Sequence, residues 1–371
     1  MLQLKFTCEQ NALNEAIINV SKATAAKSPI QALEGIKMFI NKNYLELTGY
    51  DMEIGIQTTI PCESEDYGEF VFDTFLLGEI VRKMPSERLV FEIDDKMITT
   101  IKGDISEYKI LALSADEYPC LPVYDKDNFF TLPQSLLKDM INQTIYAVAV
   151  IDTKPILMGE LFDISDGVFN LVAIDGYRLA IRTEKMDTDD RFNFVIKAKA
   201  LSEVSKLLKD DDNEKVTVYV SKKHVTFEIS GYMVITRVLE GEFHNYKGSL
   251  PTSFVTEVIV NTKQLISSLE RSIFLINDKF KAPVKCLFDN GKVVITCATG
   301  LGKFYDEFDV DISGPMVEIG FNCRYLLEAL RATYSDKVRL QLNGGLAPMK
   351  IIPLEGDAYT FLVLPVRLKA D

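Results

Sequence analysis

Residues Leu4–Val20 read LKFTCEQNALNEAIINV, and the same design returns twice: FFTLPQSLLKDMINQTIYAV from Phe129 and EVIVNTKQLISSLERSIFLI from Glu257. Each stretch opens as an alternating strand, passes through a polar cap and continues as a helix. Leu13, Ala16, Ile17 and Val20 fall at helical spacing on one face of the first copy. Leu137, Ile141 and Ile145 do so in the second, and Leu265, Leu269 and Ile273 in the third.

A second block recurs further along each copy. It starts as FVFDTFLLGEIVRKMPSERLVFEIDD at Phe70, as FNFVIKAKALSEVSKLLKDDDNEKV at Phe192 and as VEIGFNCRYLLEALRATYSDKV at Val317. Each is an apolar strand, a short helix, a charged turn and a strand hairpin. Starting points 4, 129 and 257, or 70, 192 and 317, differ by 122 to 128 residues, one ordinary domain length. The repeat therefore predicts three similar α+β domains with antiparallel sheets, at 1–122, 128–247 and 252–371. Turn-rich linkers fall between them, YPCLPVYDKD at Tyr118–Asp127 and HNYKGSLPTS at His244–Ser253.

Composition sets bounds on function. The 371 residues are 47% hydrophobic and 26% charged, ordinary for a soluble protein. No run of about 20 apolar residues asks for a membrane, and MLQLKFTCEQ lacks the apolar centre of a signal peptide. Six scattered cysteines without a CxxC pair read as free thiols in a reducing cytosol, and no metal site is expected. The net charge of −13 opposes tight binding to DNA through a basic surface.

Catalytic patterns are absent. His224 reads as solvated in the hairpin turn VSKKHVTFEI, and His244 sits in a linker. Neither has a neighbour suggesting a triad or a metal pair, and no glycine-rich phosphate loop occurs. The runs Asp94–Asp95, Asp189–Asp190 and Asp210–Asp212 lie beside lysines in predicted turns and read as solvated. No catalytic residue and no cofactor is expected. A hydrolase using clustered carboxylates remains the enzymatic alternative, and a protein-interaction scaffold the non-enzymatic one.

Two further segments, AIDGYRLA at Ala173–Ala180 and FLVLPVRL at Phe361–Leu368, resemble motifs of the beta subunit of bacterial DNA polymerase III. Length, triplication, linker positions and ending resemble that family along the whole chain. The resemblance implies the DNA clamp fold: two chains closed head to tail into a ring, sheets outside and helices lining the hole. It implies a sliding clamp, a processivity factor in the cytoplasm that performs no nucleotidyl transfer itself. Implied partners are encircled double-stranded DNA, the polymerase III catalytic subunit, the clamp loader, other proteins with clamp-binding motifs, and a second copy of the chain as a homodimer.

The resemblance also implies site residues. Partner peptides would enter an apolar cleft formed by Leu157, Ile174, Gly176, Tyr177, Arg178 and Leu179 with Leu362, Leu364, Pro365, Val366, Arg367 and Leu368, Met349 adding to the wall. Leu179 and Leu364 read equally well as core. Cations facing DNA would be Lys22, Lys27, Arg82, Lys83, Lys154, Lys197, Lys199, Lys206, Lys209, Arg271, Arg324 and Arg331. The ring seam would pair Tyr108 and Ile110 of EYKILAL, on one face of an edge strand, with Phe274 and Leu275 of the other chain. Ile174, His244 and Ser249 depart from the family pattern, and the chain runs on past the motif as Lys369–Asp371.

Overall fold

The computed structural model describes residues 2–151, 154–276 and 282–368; Lys369–Asp371 lie outside the described residues. Six α-helices occur among these, two per repeat: α1 Gln10–Val20, α2 Thr74–Lys83, α3 Gln134–Thr144, α4 Ala198–Leu207, α5 Thr262–Ser272 and α6 Cys323–Arg331. The α+β class and the three similar domains follow the sequence expectation. The strand-to-helix switch is the same device throughout. In Leu2–Glu9, the side chains of Leu4, Phe6 and Cys8 point inward while Lys5 and Glu9 stay exposed. Helix α1 then buries Leu13, Ala16, Ile17 and Val20, the face read from the sequence. Three helix starts are capped by a side-chain oxygen: Asp73 accepts from the Leu76 amide at 2.7 Å, Asn261 from Gln264 at 2.9 Å and Asn322 from Arg324 at 3.0 Å. Glu9 precedes α1 without such a bond.

The chain packs as two compact units that do not follow the repeat boundaries. Residues 1–138 and 200–238 form one, and residues 139–199 and 239–371 form the other. Strand pairing explains the division. In the first unit, Ile54–Ser64 of the first repeat hydrogen-bonds with Tyr232–Arg237 of the middle repeat, in a sheet of 13 strands ending at Glu107–Leu111. In the second, Arg178–Lys185 of the middle repeat pairs with Tyr359–Val363 of the third, in a sheet of nine strands. A separate four-stranded sheet contains Val284–Asp289, Lys292–Thr299, Gly302–Asp309 and Val317–Phe321. The register pairings among described residues are antiparallel. The middle repeat thus gives strands to both units, which a repeat read along the chain could not show.

One buried group stands out in the second unit. Glu160, on strand Gly159–Ser165, is fully covered, and its Oε2 has no partner among the described residues. The Thr144 hydroxyl lies 2.7 Å from Oε1 and 2.7 Å from the Met140 carbonyl. Burial pushes the carboxyl from 4.5 up to about 8, the Thr144 bond opposing. A protonated Glu160 can donate to Thr144, leaving the threonine proton for Met140.

Stability should respond to pH accordingly. Between 4.5 and about 8 the unfolded chain is ionised here and the native chain is not, so the native state holds the extra proton. Stability then falls as pH rises through that window, by about 1.4 kcal/mol per unit. Glu160→Gln removes the slope. Its urea midpoint, measured against the parent, should improve progressively from about pH 5 to about pH 8; a difference independent of pH would show that Glu160 is ionised in the native protein.

Candidate cleft and charged surfaces

The two motif segments meet in the second unit. Strand Val168–Ile174 turns through Asp175, Gly176 and Tyr177 into Arg178–Lys185, with Ile174 opposite Leu179. Asp175 Oδ1 accepts from the amides of Tyr177 at 2.8 Å and Arg178 at 3.0 Å. Gly176 completes the turn at φ +90°, a left-handed conformation that a side chain would strain. A Cβ there would touch nothing within 4 Å, so the glycine serves the turn and not a close approach.

The C-terminal segment docks alongside. Leu179 pairs with Leu362 and Arg178 with Val363. The Leu364 amide then donates to the Tyr177 carbonyl at 2.9 Å, and the Val366 amide to the Gly320 carbonyl at 2.8 Å. A Cβ on Gly320 would lie 2.7 Å from both the Val366 oxygen and Leu368 Cδ2, so this glycine lets the tail lie flat. These bonds hold in place a terminus that otherwise frays.

A third element completes the cleft. The segment after Gly241 is pinned by Tyr246, whose hydroxyl donates to Asp163 Oδ2 at 2.6 Å, and by Lys247, 3.0 Å from the same oxygen. Burial pushes the Asp163 carboxyl up, but bonds from Tyr246, Lys247 and Asn193 outweigh it and hold the group below its usual range. The anchored segment walls a cavity of about 770 Å³.

Seven residues of the sequence-derived cleft line that cavity: Leu157, Ile174, Gly176, Arg178, Leu179, Leu362 and Leu364. The others do not. Met349 is 1% exposed and belongs to the core beneath. Tyr177, 61% exposed, projects to solvent and lies 5.9 Å from the Tyr325 ring. Pro365, Val366, Arg367 and Leu368 continue along Gly320, away from the lining. The sequence reading missed Ile156, Glu242, Phe243, Asn245 and Pro348, and it had placed Lys154 among the DNA-facing cations; all six line the cavity. They come from three short stretches outside the two motif segments: Lys154 and Ile156 beside Leu157, Glu242, Phe243 and Asn245 around His244, and Pro348 before strand Met349–Ile352. The three departures converge here: Ile174, His244 and Ser249 all line the cavity, and His244 Nε2 lies 2.8 Å from Ser249 Oγ.

Arg178 does more than line a wall. Its Nε donates to Asp175 Oδ2 at 3.0 Å, and it forms a second ion pair with Glu328. The guanidinium lies 4.5 Å from the Tyr325 ring centre and 5.3 Å from that of Tyr146. It is a buried strut tying the turn to α6.

The expected DNA-facing cations lie on or near helices, and at least five carry a carboxylate at contact distance. Arg82 pairs with Glu79 at 2.6 Å, Lys206 with Glu203 at 2.8 Å, Lys209 with Glu214 at 3.4 Å and Arg331 with Glu270 at 2.7 Å. Arg271 pairs with Asp306. Lys22 and Arg82 line one groove between α1 and α2, with a volume of about 560 Å³. Lys27, Lys83, Lys154, Lys199 and Arg324 are exposed, and Lys197 is half-buried.

Of the expected seam residues, Phe274 is 82% exposed, Leu275 is half-buried and Tyr108 is exposed. Ile110 is 9% exposed, tucked inward on the last strand of its sheet, where it cannot present a broad apolar face; the neighbouring Leu111 is the exposed aliphatic there. His224 also differs from its solvated reading. It is half-buried at the start of a strand, its Nε2 has no partner among the described residues, and burial followed by the charges of Arg237 and Lys223 lowers its pKa.

Comparison with known proteins agrees along the whole chain. Family models described as the N-terminal, central and C-terminal domains of DNA polymerase III beta subunit match residues 4–122, 131–245 and 247–367. The beta sliding clamp of Halalkalibacterium halodurans is 32% identical, over 98% of this chain and 100% of the relative. That of Bacillus subtilis is 30% identical at the same coverage. The crystal structure of the DNA polymerase sliding clamp from Bacillus subtilis superposes with a TM-score of 0.95 at 30% identity, covering 99% of this chain and 100% of that one. A putative DNA polymerase III beta subunit from Eubacterium rectale gives 0.93 at 29% identity, covering 98% and 99%.

Substitutions in the turn should separate strut from surface. Arg178→Met removes the buried guanidinium that joins Asp175 to Glu328, leaving Asp175 only its two amide donors, and should cost about 3 kcal/mol. Tyr177→Ala, at an exposed neighbour, should cost under about 1 kcal/mol. Urea unfolding of the two variants measures both. A loss under about 1 kcal/mol for Arg178→Met would mean that Arg178 is not bearing structure.

Proposed function

The chain belongs to the DNA polymerase III beta subunit family and its function is that of a DNA sliding clamp; from that premise we propose that two copies close head to tail into a ring around duplex DNA. The ring tethers the polymerase III catalytic subunit, and in turn the clamp loader and other proteins with clamp-binding motifs, through the cleft of the second unit. The protein acts in the cytoplasm as an accessory subunit without a reaction of its own. The repeat boundaries 1–122, 128–247 and 252–371 are the three domains of each half-ring. Tyr108, Phe274 and Leu275 belong to the seam, and Lys22, Lys27, Arg82, Lys83, Lys197, Lys199, Lys206, Lys209, Arg271, Arg324 and Arg331 face the hole.

The observation that carries the cleft reading is the meeting of Ile174, Leu179, Leu362 and Leu364 around one cavity large enough for several side chains. Aliphatic walls take apolar anchors of a short peptide, and polar groups at His244, Ser249 and Asn245 fix its orientation. Physics favours a ring over ordinary DNA affinity. With a net charge of −13, a wholly basic surface is not available. A closed ring needs none, because topology keeps it on a long duplex. Weak contacts confined to phosphates carry no sequence information and leave the energy level along the track.

Light scattering tests the ring first. Two chains of 41.8 kDa should give about 84 kDa at micromolar concentration. Protein loaded on nicked circular DNA should then survive a high-salt wash that strips electrostatic binding, and should be lost once the circle is cut. A persistent monomer, or equal retention on both forms, defeats encirclement and leaves a peptide-binding scaffold. For the cleft, Leu364→Asp should weaken a labelled peptide carrying Leu and Phe anchors by at least about tenfold, the loss of one buried aliphatic contact, with the mass unchanged. Undiminished binding would place the peptide elsewhere.

A further inference from the structure

Cys8 lies on strand Leu2–Glu9 and Cys62 on Ile54–Ser64, and their Cα atoms are direct partners in the antiparallel pair. The Cys62 amide donates to the Asn43 carbonyl at 3.2 Å and the Ser64 amide to Lys42 at 3.1 Å, both away from Leu2–Glu9. The cysteines therefore oppose each other at a non-hydrogen-bonded position. There Cα atoms approach to about 4.5 Å and side chains on the shared face lie closest. That separation falls within the range of about 4.4–6.8 Å that disulfides span. A cavity of about 240 Å³ is lined by both cysteines, together with Ala12, Pro61, Glu63 and Arg88. Neither the cleft nor the cations use this place.

We propose that Cys8 and Cys62 are a dithiol modification site, which a small hydroperoxide entering the cavity converts to a cross-strand disulfide. Cys62 is the attacking thiol, being 7% exposed against 2% for Cys8. Its thiolate attacks the peroxide, the O–O bond breaks, and one oxygen stays on sulfur as sulfenic acid. The departing hydroxide takes the thiol proton as water. Cys8 then attacks the Cys62 sulfur; the S–S bond forms, the S–O bond breaks, and a second water leaves. Two thiols are oxidised, and one hydrogen peroxide is reduced to two waters.

The resting pair is protonated. Burial pushes the Cys8 thiol up to about 12, the facing Cys62 adding to this and Arg88 opposing. Cys62 is raised by burial and by Glu63, and its thiol lies 3.4 Å from the Asn41 carbonyl. Reaction is consequently slow at neutral pH and quickens with the thiolate fraction, on the order of tenfold per pH unit. The disulfide would clip the first strand to the strand that also pairs with Tyr232–Arg237.

The full-length protein carrying Cys120→Ser, which removes the exposed thiol, is treated with hydrogen peroxide over a range of pH and mapped by non-reducing peptide mass spectrometry. Supporting results are a peptide joining Cys8 to Cys62, a loss of two free thiols and a rate that climbs with pH. Cys8→Ser should halt at a Cys62 sulfenic acid trapped by dimedone, and Cys62→Ser should leave Cys8 reduced. Thiols that all survive at high pH, oxidation without that cross-link, or a cross-link confined to Cys286, Cys297 and Cys323 would overturn the proposal.

Discussion

A strand edge is a row of unpaired amides and carbonyls, and a repeat unit built of antiparallel strands has to cover it. Here the middle repeat does so twice. Tyr232–Arg237 completes the sheet of the first unit against Ile54–Ser64, and Arg178–Lys185 completes that of the second against Tyr359–Val363. The compact units consequently cut across the repeats. Everything in the cleft depends on the second of these pairings, because it sets Leu179 opposite Leu362 and delivers Leu364 to the turn at Gly176.

The cleft is supported by polar anchors beneath an aliphatic surface. Arg178 holds the turn through Asp175 and Glu328, and Asp163 holds the third wall through Tyr246 and Lys247. Buried charges of this kind are costly unless paired, so they fix one arrangement more than they add stability. A cleft held by such anchors would lose little entropy on taking up a ligand. His244 and Ser249, bonded to each other at the rim, give this chain a polar edge to that surface.

The charge distribution suits a body that must not cling. Exposed cations at Arg82, Lys206 and Arg331 are matched locally by Glu79, Glu203 and Glu270. Such surface pairs contribute little to stability, about 0–1 kcal/mol each. Each pair also flattens the local field that a polyanion would meet.

The sequence by itself determined the threefold α+β plan, the buried helix face at Leu13, Ala16, Ile17 and Val20, and the two segments that build the cleft. Period-3.6 and period-2 patterns are local, and the motifs AIDGYRLA and FLVLPVRL are contiguous, so both can be read along one chain. Tertiary structure alone decided the rest. Met349 could be placed in the core, and Ile156, Phe243 and Pro348 on the wall, only once strands distant in sequence were set side by side. The same holds for the carboxylates beside the expected cations, for Glu160 buried against Thr144, and for Cys8 facing Cys62. Their environment is set by long-range strand register, which shifts every side chain from one face to the other when it slips by a single residue, and which no local pattern encodes.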